Sequence, residues 1–222
     1  MTAASKLIGL TLNDNWRVVE HIKRPPAGTG GTFSHSYLAK KGDRMAFVKA
    51  FDFSSAFQPG ANTLEILSLL TASYEHERDV LEHCRGRRLS NVAIAIGHGY
   101  ISVPDMGIME GRVYYLLFEK ADGDIRCQMD AAFASDDVWC MYALRHVSLG
   151  LLQIHREFIA HQDLKPSNVL CYGAKEFRVS DFGRSSRRNQ TIWHDEQNFP
   201  GDKTYAPPEL LYGYVVADFV PR

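Results

Sequence analysis

The sequence predicts an α+β fold in which a β-rich first part precedes a mainly helical second part. Three observations carry this expectation. Short β-prone runs crowd the first 120 residues and enclose one helical stretch at 62–84. A long amphipathic helix is predicted at 136–157. Beyond it, two short apolar runs flank Tyr172-Gly173-Ala174-Lys175, and a Gly-bearing break between β-prone runs reads as a hairpin. Strands gathered ahead of helices mark the α+β class.

The 222 residues suffice for one large domain or two small lobes with a substantial core. A net charge of −1 gives no global pull towards nucleic acid or an anionic membrane. No apolar run approaches a membrane span. The start Met1-Thr2-Ala3-Ala4-Ser5 lacks the basic region and apolar core of a signal peptide. Cys84, Cys127, Cys140 and Cys171 show no Cys-x-x-Cys spacing, so they read as reduced, packed thiols of a cytoplasmic protein. The nine histidines form no ligand cluster. Neither a nucleic-acid nor a membrane partner is expected, and nothing in the pattern sets an oligomeric state.

In chain order, Trp16-Arg17-Val18-Val19 is the first predicted strand and Tyr37-Leu38-Ala39 the second, with a glycine-rich stretch from Pro25 to Ser34 between them. Met45 to Phe51 forms the third and embeds Lys49 in apolar sequence, where a lysine would ordinarily snorkel to a sheet edge. On the helix at 62–84, Tyr74, Glu77, Leu81 and Cys84 fall on one stripe at i, i+3, i+7 and i+10. A glutamate on an apolar face needs a cation, so Lys49 and Glu77 explain each other; Glu75 is the alternative partner. Two apolar segments, Val92 to Ile96 and Gly99 to Val103, precede a buried strand at Val113 to Phe118, which ends in Glu119-Lys120-Ala121-Asp122-Gly123-Asp124. Leu144, Val147, Leu151, Ile154 and Phe158 are the expected core stripe of the helix at 136–157.

That helix delivers the chain to His161-Gln162-Asp163-Leu164-Lys165-Pro166-Ser167-Asn168, and thirteen residues after Asn168 comes Asp181-Phe182-Gly183. The intervening hairpin would bring two carboxylates and one amide together. Phosphoryl transfer uses such a set: one carboxylate takes the proton of the attacking hydroxyl, and an Asn with a second carboxylate holds magnesium on the phosphates. Either half alone is a weak motif, whereas both in this order and spacing are specific. The stretch resembles the catalytic and metal-binding loops of eukaryotic-type protein kinases.

The resemblance implies a two-lobed fold, with a small β-rich N-lobe at residues 1–120 and a partial, mainly helical C-lobe at 121–222. It implies ATP and Mg2+ as cofactors and transfer to Ser/Thr hydroxyls of a protein substrate. Asp163 would accept the hydroxyl proton and Lys165 would offset charge on the phosphoryl group; a lysine at that position resembles Ser/Thr rather than tyrosine kinases. Asn168 and Asp181 would hold magnesium. Lys49, positioned by Glu77, would reach the α- and β-phosphates, and Gly30, Gly31 and Ser34 would form the phosphate loop, for which a plain flexible turn is the alternative. The Ala121 backbone would meet adenine with Phe118 behind the pocket, and Asp124 would bond a ribose hydroxyl or serve as a solvated turn residue.

Four positions ahead of the activation segment depart from the family pattern. Ser34 stands in place of the third loop glycine, Phe47 in place of an alanine, Ser36 in place of a valine, and Gln162 in place of the arginine before the catalytic aspartate. Phe47 and Ser36 read either as an exchange of bulk across the adenine pocket or as an obstruction of it. Phe199 to Glu209 resembles the end of an activation segment, with Pro207 where the family has alanine. The resemblance runs from about residue 16 to 222. The chain is therefore expected to be truncated before the later helices, marginally stable, and to expose Leu210, Leu211, Val215 and Val216. The rival expectation is a catalytically silent nucleotide-binding or scaffold protein; a small-molecule kinase is a third, against which the activation segment argues.

Overall fold

The structure, a computed structural model, describes residues 2–23, 34–129, 136–190 and 201–206, together with Pro208. It is an α+β chain of two compact units, Met1–Arg78 with Ala95–Lys120, and Asp79–Ile94 with Ala121–Arg222. No helix among the described residues is long and apolar enough to cross a membrane.

The first unit is built on five antiparallel strands: β1 (Arg17–Ile22), β2 (Ser34–Lys41), β3 (Arg44–Phe51), β4 (Ala95–Ser102) and β5 (Arg112–Glu119). Their order in the sheet is β1-β2-β3-β5-β4. Period-two alternation sorts β3 into two faces. Ala46, Val48 and Ala50 are fully buried with Tyr37, Val113, Tyr115 and Leu117, while Phe47 and Lys49 point to the opposite face. The chain before β1 closes this core. Leu7, Leu12 and Trp16 are buried against the sheet, the Tyr37 hydroxyl donates to the Ala4 carbonyl, and the Asn13 N–H donates to the Tyr115 hydroxyl at 3.0 Å.

Where two apolar segments were expected at Val92 to Ile96 and Gly99 to Val103, the structure has one strand, β4, with an irregular register between Ala95 and Gly97. Its glycines do not interrupt it because bulky partners occupy the space above them. Gly97 lies opposite Leu117 and Gly99 opposite Tyr115.

Helix α1 (Thr63–Gly86) buries the predicted stripe, with Tyr74, Leu81 and Cys84 among apolar residues and Glu77 beside them. Burial pushes the Cys84 thiol up to about 12, so it packs as a small apolar group.

The second unit holds β6 (Gly123–Asp124), α2 (Ile125–Gln128), α3 (Asp137–Arg156), β7 (Ile159–Ala160), β8 (Val169–Tyr172), β9 (Glu176–Val179) and β10 (Ser186–Arg187). The β8–β9 hairpin forms at the predicted place, with Gly173 at φ 63° in its turn. It is extended by β6, and β7 pairs with β10. Helix α3 opens on Asp136, whose carboxylate accepts the N–H groups of Val138 and Trp139 at 3.0 Å each and so satisfies two orphan donors.

The expected core stripe of α3 needs correction. Ile154 is buried and Val147 packs on the core, but Leu144 and Phe158 are exposed. The inward face carries Trp139, Ala143, Gly150 and Ile154. Small residues mark this face because the neighbouring chain comes close: a Cβ on Gly150 would stand 2.8 Å from the Asn91 carbonyl oxygen and 2.9 Å from a Val179 methyl. The helix also ends at Arg156, and Phe158 turns outward at φ 58°.

Candidate active site

In the second unit, the chain from β7 to β8 folds around Asp163. Its carboxylate is held at both oxygens. Oδ2 lies 2.9 Å from the Lys165 ammonium and accepts from Asn168 Nδ2 at 3.2 Å. Oδ1 accepts the Asp202 backbone N–H at 2.8 Å. Asn168 Nδ2 also donates to the Asp163 carbonyl at 2.9 Å. Lys165 is 8% exposed and Asn168 5%; a buried ammonium requires such carboxylate pairing.

His161 joins this loop to the next. It is buried, and its Nε2 lies 2.8 Å from the Ser180 carbonyl while its Nδ1 lies 3.3 Å from the Asp163 N–H. Only the neutral ring with its proton on Nε2 serves both partners. Burial pulls the imidazole below its usual range, against the hydrogen bond to Ser180 and the charges of Asp181 and Asp163, which keeps it neutral. The Ser180 N–H and hydroxyl both donate to the Asn168 carbonyl, at 2.8 and 3.0 Å. One buried histidine and one serine thus lock the Asp163 loop to the residue before Asp181.

Asp181 itself is left-handed, at φ 63° and ψ 75°, and Gln162 sits at φ 67°. Non-glycine residues in that region carry strain of about 1–3 kcal/mol each, and such strain gathers at functional sites. Phe182 is fully buried and packs on the His161 ring with centroids 5.0 Å apart. The donors offered to a cation here, the Asp181 carboxylate and the Asn168 amide oxygen, are hard oxygens. They fit magnesium, which takes one or two carboxylates from protein and completes its shell with phosphate and water.

After Asp181 the chain is pinned by neutral contacts. Gln162 Nε2 donates to the Ser186 hydroxyl at 2.7 Å, and the Ser185 hydroxyl donates to the Phe182 carbonyl at 2.7 Å. Ser185 and Ser186 are both buried. Arg187 reaches His83 Nδ1 at 3.2 Å, while His83 Nε2 lies 2.7 Å from Glu157.

In the first unit, the Lys49 ammonium meets both oxygens of Glu77, at 2.7 and 2.8 Å. Glu77 is 2% exposed. The alternative, Glu75, points to solvent and approaches Arg78 at 3.9 Å. Along the same sheet face, Leu38 and Phe118 are the register partners of Phe47, and Ser36 is that of Lys49. Ser36 is therefore diagonal to Phe47, still within reach of an aromatic ring. The Phe47 and Phe118 rings lie 6.3 Å apart. Ser34 begins β2 opposite Phe51; Gly30 and Gly31 lie outside the described residues.

Ala121 begins the longer stretch of the second unit, followed by Asp122, whose N–H donates to the Cys171 carbonyl and whose carboxylate accepts the Gly173 N–H at 2.7 Å. Asp124 caps α2, accepting the Cys127 N–H at 2.9 Å, with the Cys127 thiol 3.6 Å away. A ribose hydroxyl would share its carboxylate with that cap. Thr191, Pro207, Glu209, Leu210, Leu211, Val215 and Val216 lie outside the described residues.

Asp202 and Ser180 were not singled out from the sequence. Ser180 directly precedes the Asp-Phe-Gly motif, and its position beside it was the available signal. Asp202 lies 39 residues from Asp163, and nothing local announces that contact.

Residues 69–218 match the protein kinase domain. Among curated relatives, Ribosomal protein S6 kinase 2 beta of Xenopus laevis is 27% identical over 183 residues, covering 80% of this chain and 28% of its own length. Mitogen-activated protein kinase 5 of Arabidopsis thaliana is 32% identical over 97 residues, 44% of this chain and 25% of that protein. Cyclin-dependent kinase G1 of Arabidopsis thaliana is 33% identical over 102 residues, 45% of this chain and 16% of that protein. The chain spans less than a third of the length of each of these relatives.

Proposed function

The chain belongs to the protein kinase family, and from that premise we propose that it transfers the terminal phosphate of ATP to Ser or Thr hydroxyls of a protein substrate. The observation that carries this reading is the carboxylate of Asp163 held at both oxygens beside the buried ammonium of Lys165. A base fixed in one rotamer meets an incoming hydroxyl without reorganising.

In the proposed reaction the substrate oxygen bonds to the γ-phosphorus as the bond from that phosphorus to the ADP oxygen breaks. The hydroxyl proton passes to the Asp163 carboxylate, and the Lys165 ammonium offsets charge on the phosphoryl oxygens. Lys49, held by Glu77, anchors the α- and β-phosphates. Asn168 and Asp181 would hold magnesium, which when bound would supply neutralisation of the phosphate charge. The test is incubation with γ-labelled ATP and a generic protein, followed by phosphoamino-acid analysis. Label on serine or threonine is expected; label only on tyrosine or on a small molecule would contradict the proposal.

A second reading, nucleotide binding or scaffolding without transfer, draws on Phe47. Its ring sits beside Leu38 and Phe118 on the face that also bears Lys49. If Phe47 replaces bulk that Ser36 lacks, Phe47→Ala should weaken ATP binding by leaving a cavity, and adding Ser36→Val should recover part of the loss. Calorimetric titration with ATP checks this. Tighter binding in the single variant would show that Phe47 obstructs the pocket.

Regulation follows from Gln162. In place of a cation that would grip an activation-segment phosphate, the neutral amide already bonds Ser186. We expect phosphorylation of Ser185, Ser186, Thr191 or Thr204 not to be the main on-switch. A large rise in transfer on phosphorylating one of them, lost on its replacement by alanine, would contradict this.

A further inference from the structure

We propose that Asp202 is a positioning residue of the transfer site, acting on Asp163 through its backbone and on Lys165 through its side chain. The inference rests on the reading of Asp163 and Lys165 given above. The Asp202 N–H supplies the 2.8 Å hydrogen bond that fixes Oδ1 of Asp163. Its carboxylate has two partners: Oδ1 accepts the Thr204 N–H at 3.0 Å, capping the short helix Lys203–Tyr205, and Oδ2 lies 3.8 Å from the Lys165 ammonium. The Thr204 N–H outweighs the small cost of burial and, with the charges of Lys165 and Arg126, holds the Asp202 carboxyl below its usual range.

Lys165 therefore stands between two carboxylates, at 2.9 Å from Asp163 and 3.8 Å from Asp202. The closer one orients it and the farther one limits how far it swings. The preceding residue secures this placement. A Cβ on Gly201 would overlap the Gln162 carbonyl oxygen and approach Asp163 Oδ1 at 3.3 Å. Glycine is what lets the backbone lie directly on the Asp163 loop and aim the next N–H at the carboxylate.

Two measurements on the full chain test the proposal. The first is the acetylation rate of Lys165 by an N-hydroxysuccinimide ester, read by mass spectrometry against Lys40 and Lys41 as internal references. D202N keeps the size, the backbone N–H and an acceptor for Thr204, and replaces the charged oxygen that faces Lys165 by an uncharged amide nitrogen. Lys165 should label several-fold faster in D202N than in the wild type, and an unchanged rate would overturn the proposal.

The second is transfer kinetics. D202N should lower kcat several-fold with KM for ATP unchanged, D202A should lower it further because the cap is also lost, and G201A should cost about 100-fold, as a misplacement near 1 Å can. Variants are compared only where their melting temperatures match the wild type, with D202N as the fold-preserving case. An active wild type whose kcat survives D202N and D202A would overturn the proposal even if labelling were faster. A wild type that transfers nothing would defeat the proposed function, while the labelling rate would still decide the role of Asp202.

Discussion

Asp163→Ala should leave binding of magnesium and ATP close to that of the wild type and lower transfer by about 10²–10⁴-fold, the usual contribution of a positioned general base. Asp181→Ala should instead remove magnesium-dependent nucleotide binding, since it deletes the only carboxylate assigned to the cation and with it several kcal/mol of charge stabilisation. The two substitutions are separated by calorimetric titration of ATP with and without magnesium, alongside turnover. The expected contrast follows from the hydrogen-bond frame. His161 and Ser180 join the two loops through backbone atoms, so either carboxylate can be removed without dismantling the other. Full transfer in both variants would refute the assignment of the site.

The second large effect concerns stability. Lys49→Ala should cost about 3 kcal/mol, the low end of what breaking a buried ion pair costs. The low end applies because Glu77 is 2% exposed while the Lys49 side chain keeps 20% of its surface in water. For a domain of this size the melting temperature should fall by roughly 6–12 °C. Replacing both residues, Lys49→Met with Glu77→Leu, should recover most of the stability, because an apolar pair of similar volume is often as stable as the ion pair it replaces. It should not recover ATP binding. Thermal denaturation and nucleotide titration of the two variants separate the structural from the functional role of the pair. A Lys49→Ala variant that melts with the wild type would show that the pair contributes little to stability.

How much of this was legible in the sequence depended on the range over which each constraint acts. The His161 to Asn168 and Asp181 to Gly183 motifs could be read because the chemistry demands particular residue types at close spacing. A single glycine, Gly173, placed the hairpin between them. The Lys49–Glu77 pair was legible although 28 residues separate its members, because a glutamate on an apolar helix stripe calls for a cation.

What could not be read depended on close approach. The inward face of α3 was misplaced because Ala143 and Gly150 carry it, and small residues give no apolar signal even where a neighbouring carbonyl needs the space. The two apolar segments before β5 merged into one strand because Leu117 and Tyr115 fill the gaps over Gly97 and Gly99. Asp124 gave no sign of being a helix cap, since α2 is only four residues long. The contact from Asp202 to Asp163 depends on Gly201 lying against Gln162, which no local pattern encodes.

Everything proposed for the site depends on the role of Asp163 as the base of phosphoryl transfer to a protein hydroxyl. That role is tested most directly by single-turnover transfer of γ-labelled phosphate from saturating ATP and magnesium to a generic protein, comparing the wild type with Asp163→Ala. Labelled serine or threonine is expected with the wild type, and a loss of about 10²–10⁴-fold with the variant. Equal labelling by the two proteins would contradict it.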